Sequence, residues 1–294
     1  MDISTGIPKV AIGVIDGPID LNHPAFRGVN IRTVKESQAV ACKSANSIAC
    51  IHGTFVTGIL CAKRGLPAPA ICPGCKIILY PVFAEHESYM DDNSNNYYHA
   101  NNNDTKFSLP NITPKELSDA IIETINAGAK IINLSLGLST SSIAIHYELL
   151  EAYEYAYKND VIIVIAAGNQ GSIGYSSLLN HPWVIPVTAC DEKEMPTPYS
   201  NLGPSIGTHG LMAPGVNVKS TSSNGGYDKM SGTSFSAPFV TGAIALLWSV
   251  FPKATATQII QSVISNAYSI HRHTIIPPML NAEASYEALK NRGV

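Results

Sequence analysis

Residues 10–18 read VAIGVIDGP, a run of small and apolar residues that ends on a carboxylate and then turns at Gly17 and Pro18. The run lacks the polar alternation of a half-exposed strand, so it predicts a β-strand that is covered on both faces. In an open parallel sheet, the carboxyl ends of the strands face the ligand crevice. We therefore expect Asp16 to lie at the edge of a site, although an aspartate that caps a turn is the commoner reading of this segment alone.

Further runs of β-branched and aliphatic residues have the same character and lie at residues 77–82, 131–134, 161–166 and 184–187. Helical patterns lie between them, at residues 117–127 and 143–158. The first of these helices has clear start signals, because Thr113 and Glu116 can form a capping box around Pro114. Strands that alternate with helices predict an α/β fold with a mostly parallel central sheet and helices on both faces.

The composition favours one domain over residues 1–294. Of these residues 45% are hydrophobic and 14% are charged, which is typical of a compact enzyme with a large buried sheet. Residues 85–111 break the pattern, since they are rich in asparagine and have no apolar period, and they predict a polar surface insertion. Two C-terminal helices are expected at 255–265 and 282–290, on the outside of the sheet.

The charge distribution argues against two classes of partner. The net charge is −3, the pI is near 6.3, and no cluster of lysine and arginine is present. We therefore expect no nucleic-acid partner and no membrane partner. The longest apolar stretches, such as residues 239–248, are too short to span a bilayer. The N-terminus lacks the features of a secretory signal, which predicts a cytoplasmic protein, or a secreted one if the chain is a mature fragment.

Six cysteines leave their pairing open. Cys42 and Cys50 could form a bridge that staples the loop before His52, while Cys72 and Cys75 could be a bridge, half of a metal site or two thiols. A zinc site needs a second ligand pair at matching spacing, and none is present. We expect no bound metal and no cofactor.

Three further segments carry chemical groups. His52 opens the segment HGTFVTGIL, in which we expect a helix to begin near the histidine. Ser234 lies in SGTSFSAP, a glycine turn that leads into a helix, where backbone N–H groups point toward a developing anion. Asn169 ends the segment AAGN after a predicted strand, and its amide can donate to an oxyanion. Each piece alone also has a purely structural interpretation. The order Asp, His, Ser, completed by an amide donor at Asn169, makes coincidence improbable.

The combined pattern resembles the subtilisin family of serine proteases, in which the triad has this order. The resemblance covers about residues 10–265 and implies a single-domain subtilisin-like peptidase that acts through an acyl-enzyme. Ser234 would be the nucleophile, His52 the general base and acid, Asp16 the residue that orients His52, and Asn169 the oxyanion donor. A peptide or protein substrate would bind as an extended strand along six residues: Ser135, Leu136, Gly137, Ala166, Ala167 and Gly168.

Departures from the family pattern refine the interpretation. Phe55 stands where most subtilisins have a second histidine, and residues 62–70 lack the oxygen ligands of the family's calcium loop. The triplet at Asp16 and the stretch at residues 75–83 resemble the subtilases of cyanobactin-type pathways, which trim or macrocyclise ribosomal precursor peptides. A transpeptidase or macrocyclase that uses the same triad is one alternative function. A catalytically silent binding module with the same fold is the other.

Overall fold

The seven strands of the central sheet are all parallel. The computed structural model describes residues 3–34, 40–83, 85, 112–136, 146–174, 176, 178–267 and 275–293. The strands are β1 (Ala11–Asp16), β2 (Ile31–Thr33), β3 (Lys76–Pro81), β4 (Ile131–Leu134), β5 (Ile162–Ala166), β6 (Val184–Cys190) and β7 (Leu211–Pro214). Their order across the sheet is β2-β3-β1-β4-β5-β6-β7. A separate antiparallel hairpin consists of β8 (Val218–Thr221) and β9 (Tyr227–Met230).

Helices cover both faces of this sheet. They are α1 (Ile48–Cys61), α2 (Pro114–Asn126), α3 (Tyr147–Lys158), α4 (Pro204–His209), α5 (Thr233–Val250), α6 (Ala256–Ser265) and α7 (Ala282–Asn291). Helices α1 and α5 pack together, with α5 against β4 to β7, while α2 and α3 form the layer against β1, β3 and β5. The predicted α/β fold class, with a mostly parallel sheet and helices on both faces, is therefore confirmed.

Burial on both faces explains the apolar runs in the sequence. Every residue of β1, β4, β5 and β6 is buried, so no position in these strands favours a polar side chain facing water. The predicted boundaries of the first four runs lie within one residue of the observed strands, while β6 extends three residues beyond the predicted end. Both hydrogen bonds of the predicted capping box at α2 are present: the Thr113 N–H donates to the Glu116 carboxylate, and the Glu116 N–H donates to the Thr113 hydroxyl oxygen.

The strands that the sequence did not indicate are short. Strand β2 has three residues at the edge of the sheet, and β7, β8 and β9 have four each. Strand β7 ends in a proline, and β9 carries three polar or aromatic residues before Met230. So few residues cannot establish a period of their own, and their pairing depends on the neighbouring strands.

Helix α5 is longer than the apolar stretch at 239–248 suggested. Its 18 residues have the length and composition of a membrane-spanning segment, but 83% of them are buried inside the protein. The helix packs against four strands as well as α1, α6 and α7. Its apolar character is therefore accounted for by its position as the central helix of the core.

The structure shows how four of the six cysteines are paired or left as thiols. Cys42 and Cys50 form a disulfide that links the loop before α1 to the first turn of that helix. Cys72 and Cys75 are buried thiols, and their mutual hydrogen bond lowers the pKa of Cys75 and raises that of Cys72. Glu85 lies close to the disulfide, yet a disulfide offers no thiolate to a metal ion.

Of the predicted insertion at 85–111, Glu85 is the residue that the structure describes, and residues 86–111 lie outside the described part. The Glu85 carboxylate accepts hydrogen bonds from the backbone N–H groups of Lys43 and Ser44 and from the Ser47 hydroxyl. Ser47 in turn is the N-cap of α1. Glu85 therefore fixes the loop that leads into this helix.

Candidate active site

The site lies where the direction of the chain's crossovers changes. Strand β1 lies between β3 and β4, and the strands that follow it in the chain lie first on one side of it and then on the other. Asp16 is the last residue of β1, and Ser135 follows the last residue of β4, so both stand at adjacent carboxyl ends. This position is where open α/β sheets form their ligand crevice.

Asp16 and His52 form a buried hydrogen-bonded pair. The Nδ1–H of His52 donates to Oδ1 of Asp16 over 2.7 Å, and the Gly17 N–H donates to the same oxygen over 2.6 Å. The residues are 1% and 2% exposed. Because a carboxylate only accepts, this bond selects the tautomer that carries its proton on Nδ1 and leaves the Nε2 lone pair as the basic site.

Two glycines allow the His52 helix to approach Asp16. A Cβ atom on Gly17 would lie 2.0 Å from the Ala49 carbonyl oxygen, and one on Gly53 would lie 2.5 Å from the Gly17 carbonyl oxygen. Any larger residue would push α1 away from the end of β1. Helix α1 begins at Ile48, four residues before His52, so His52 lies in the second turn of the helix and not at its N-terminus.

Ser234 is the second residue of α5. The N-cap of this helix is Gly232, which has φ +154°. Ser234 is 6% exposed and is therefore a buried residue. The ring of the next residue, Phe235, lies 5.4 Å from the His52 ring and 4.7 Å from the Phe55 ring. The first turn of α5 is thereby packed against His52, and Phe55 contributes to that packing.

Asn169 follows strand β5 and contacts the same turn of α5. Its Oδ1 accepts hydrogen bonds from the backbone N–H and the hydroxyl of Thr233, over 2.9 and 3.0 Å. Since both partners are donors to that oxygen, the amide orientation is fixed. Its Nδ2 lies on the side of Gly232, 3.4 Å from where a Cβ of that residue would be. The amide nitrogen is thus held beside the turn that carries Ser234.

The predicted substrate-binding residues fall into two neighbouring segments. Ser135 and Leu136 are 0% and 2% exposed, and the Leu136 side chain is part of the core, while Gly137 lies outside the described residues. The second segment contains Ala166, the last residue of the adjacent strand β5, and the two residues that follow it, Ala167 and Gly168. Its main-chain groups are already bonded: the Ala167 N–H to Val187 and the Gly168 N–H to the Thr233 hydroxyl. This segment is therefore suited to form a wall of the substrate-binding site.

Asn201 is a residue of this site that the sequence did not single out. Its backbone N–H donates to the Gly168 carbonyl, and its Nδ2 donates to the Ala167 carbonyl, both over 3.0 Å. Its Oδ1 accepts from the N–H groups of Gln170 and Ser172, both over 3.1 Å. Gly168 has φ +103°, and a Cβ there would lie 2.2 Å from Nδ2 of Asn201. Asn201 thus holds the loop around Asn169, and no local sequence signal marks it.

The sequence is similar to those of known subtilases. A profile of the subtilase family matches residues 8–291. Subtilisin DY from Bacillus licheniformis is 28% identical over 267 residues, which are 89% of this chain and 85% of that protein. The Thermophilic serine proteinase of Bacillus sp. (strain AK1) is 30% identical over 84% of this chain. The chain spans 54% of the length of that relative.

Solved structures with the same fold include maturation proteases. The protease domain of PatA superposes with a TM-score of 0.85 at 27% identity and 99% coverage of both chains. The Prenylagaramide maturation protease PagA has a TM-score of 0.80 at 28% identity, covering 97% of this chain and 95% of its own. A PatG macrocyclase in complex with peptide has a TM-score of 0.80 at 18% identity, covering 97% of this chain and 93% of its own, which shows the fold alone. The two maturation proteases support the resemblance to the cyanobactin-type branch. The profile match over residues 8–291 shows that the chain belongs to the subtilase family, with the fold of a subtilisin-like serine protease.

Proposed function

We propose that the chain is a serine endopeptidase whose nucleophile is Ser234. The observation that carries the proposal is the buried bond between Asp16 and His52, with the Ser234-bearing turn of α5 packed on the His52 ring through Phe235. This arrangement supports transfer of the Ser234 proton to Nε2 of His52 as the hydroxyl oxygen bonds to the scissile carbonyl carbon. The proton then passes to the leaving amine as the C–N bond breaks, and water hydrolyses the acyl-enzyme.

Asp16 is proposed to orient His52 and to stabilise its protonated form. The second carboxylate oxygen of Asp16, Oδ2, is buried and has no hydrogen-bond partner among the described residues. A carboxylate in such surroundings is stabilised by a positive charge close by. The imidazolium that forms during proton transfer supplies this charge, so the pair favours the transition state over the ground state.

Asn169 is proposed as the side-chain donor to the oxyanion, together with the backbone N–H of Ser234. The oxygen of the Asn169 amide is occupied by Thr233, so its NH₂ group is the part that can serve a ligand. Because the orientation is fixed in advance, no reorganisation is needed when the negative charge develops. Asn201 supports this geometry by holding the loop that precedes and follows Asn169.

The substrate is proposed to be a peptide bound in extended form. The segments at the ends of β4 and β5 flank the space in front of Ser234, with Ser135 and Leu136 on one side and residues 166–168 on the other. Gly137 is proposed to extend the first of these segments. Main-chain pairing at the first segment would give affinity without reading side chains. The second segment would line the pocket for the residue before the scissile bond.

A ribosomal precursor peptide is the substrate class that we favour, since PatA and PagA are similar to this chain at 27% and 28% identity. Hydrolysis is favoured over macrocyclisation because the similarity to PatA and PagA, at 27% and 28% identity, exceeds the 18% identity to a PatG macrocyclase. Product mass separates the two, since a cyclic product lacks one water relative to the linear fragment. The location of the protein in the cell stays a prediction.

Replacement of the nucleophile tests the proposal. Ser234→Ala should lose measurable peptide cleavage and labelling by a fluorophosphonate, with little change in thermal midpoint. Ser249→Ala is the matched control, because this serine lies on the same helix and bonds to the Ala245 carbonyl, at the opposite end from the site. Full cleavage by Ser234→Ala would refute the assignment, and absence of cleavage and labelling in the parent protein would favour a silent binding module.

A further inference from the structure

The carbonyl group of Ser234 lacks its usual helical partner. In an α-helix the carbonyl of each residue accepts from the N–H four residues later. For Ser234 that residue is Pro238, which lies inside α5 and has no N–H. The covalent structure of the chain therefore leaves the main chain of the proposed nucleophile with an unused acceptor in a buried position, where an unpaired carbonyl is costly.

The hydroxyl of Ser135 occupies this acceptor. Its Oγ lies 2.7 Å from the Ser234 carbonyl oxygen, and the bond joins residues 99 positions apart in the chain. Ser135 also accepts a hydrogen bond from Nδ2 of Asn133 over 2.7 Å. Since the amide can only donate there, the hydroxyl proton of Ser135 is directed to Ser234.

A second contact with α5 fixes the orientation of the Asn133 amide, which donates to Ser135. Thr241 donates its hydroxyl proton to Oδ1 of Asn133 over 2.9 Å, which sets the orientation of the Asn133 amide. Ser234 and Thr241 are seven residues apart and so lie on the same face of α5. Asn133, Ser135 and Thr241 are all 0% exposed. We call the chain of bonds from Thr241 through Asn133 and Ser135 to the Ser234 carbonyl the β4–α5 relay.

We propose that the β4–α5 relay positions the nucleophile, with the Ser135 hydroxyl as its positioning group. This inference rests on the proposed function of Ser234. Ser135 begins the segment that is proposed to pair with the substrate, and its side chain holds the main chain of Ser234. One residue therefore ties the substrate-binding segment to the reacting hydroxyl, so that both keep one relative position during acylation. Small displacements of a nucleophile are costly for the rate.

A double-mutant cycle with Pro238 tests the relay. Ser135→Ala should slow acylation of a chromogenic peptide about ten- to hundredfold, with KM changed less than about threefold. Pro238→Ala restores an N–H that can donate to the Ser234 carbonyl. In that background, Ser135→Ala should slow acylation by no more than about threefold relative to Pro238→Ala alone.

Ser262→Ala is the matched control, since this serine is also 0% exposed and donates to a helix carbonyl, that of Ile259, away from the site. Its acylation rate should equal that of the parent. The same four proteins of the cycle are unfolded in urea, where the destabilisation caused by Ser135→Ala should be smaller in the Pro238→Ala background.

Additive effects in both measurements would overturn the relay, as would a change in KM alone. Failure of the proposed function is distinguishable from these results. In that case the parent protein neither cleaves peptides nor reacts with a fluorophosphonate. The proposed positioning of a nucleophile is then rejected as well, whatever coupling between Ser135 and Pro238 the urea unfolding measurements show.

Discussion

Helices α2 and α6 begin in one way and helix α5 begins in another. The first two start with capping boxes, in which Thr113 pairs with Glu116 and Thr255 pairs with Gln258. The N-cap of helix α5 is Gly232, which has no side chain, and the first N–H of the helix, that of Thr233, donates to Oδ1 of Asn169, 64 residues earlier. Helices α2 and α6 thus satisfy N-terminal N–H groups with side chains of their own first turn. The helix that carries Ser234 leaves its first turn to residues from other parts of the chain.

This comparison predicts that changes around the start of α5, and in the residues packed on it, alter the reaction rate, whereas changes on α2 alter stability or have no effect.

The largest effect is expected at Asp16. Asp16→Asn should lower kcat on the order of 10⁴-fold, because an amide can present a donor to Nδ1 of His52 and favour the wrong tautomer. Steady-state kinetics with a chromogenic peptide measures it. Asp119→Asn on α2 is the control and should retain parental kcat, since Asp119 forms an ion pair with Lys115 on the surface. A loss below tenfold at Asp16 would contradict its role.

Removal of the Asn169 amide should have the next largest effect. Asn169→Ala is expected to lower kcat about a hundredfold or more with little change in KM, because its hydrogen bond forms mainly in the transition state. Asn126→Ala removes an amide on α2 that accepts from Tyr155, and it should leave kcat unchanged. An increase in KM alone for Asn169→Ala would make Asn169 a substrate-binding residue instead.

A side chain at the start of α5 should impair the reaction even though serine is a good N-cap. Gly232→Ser is expected to lower kcat about tenfold, because a side chain is strained at φ +154° and the new N-cap hydroxyl would accept from the Ser234 N–H, the proposed backbone donor to the oxyanion. Gly128→Ser controls for backbone strain, since Gly128 has φ +95° with no atom within 4 Å of an added Cβ. That variant should lower the thermal midpoint and keep its kcat. Equal losses of kcat in both variants would mean that the start of α5 is not special.

The smallest effect is expected at the capping box of α2. Thr113→Ala should lower the thermal midpoint by about 2 °C at neutral pH and leave kcat unchanged. Hydrogen bonds from Thr113 lower the pKa of Glu116, so this stabilisation is present above the usual pKa of the carboxyl and is lost as the pH falls through the lowered value. The difference in midpoint between parent and variant should therefore shrink in acid. Calorimetry at pH 7 and below pH 4 measures it, and a difference that grows in acid would contradict the sign.

The sequence predicted those parts of the fold that have a local cause. Strands buried on both faces have apolar runs, and the helix at Thr113 has its cap within four residues of the chain. The first four predicted strands and the start of this helix could therefore be located to within a residue, whereas β6 extends three residues beyond its predicted end. The order of the chemical groups at Asp16, His52, Asn169 and Ser234 also follows from short motifs. Family membership follows from them, and the profile match and the fold agree with it.

Only the tertiary structure decided how these groups are held. The pairing of Asp16 with His52 spans 36 residues, and it depends on the contact of Gly17 and Gly53 with neighbouring main chain. The Cys42–Cys50 bridge and the role of Asn201 likewise have no unique signal in the sequence. The β4–α5 relay joins residues 99 and 108 positions apart. Each partner in such a bond is an ordinary polar residue in its own segment, and only the packing of distant elements into one dry layer makes the bond possible and its loss costly.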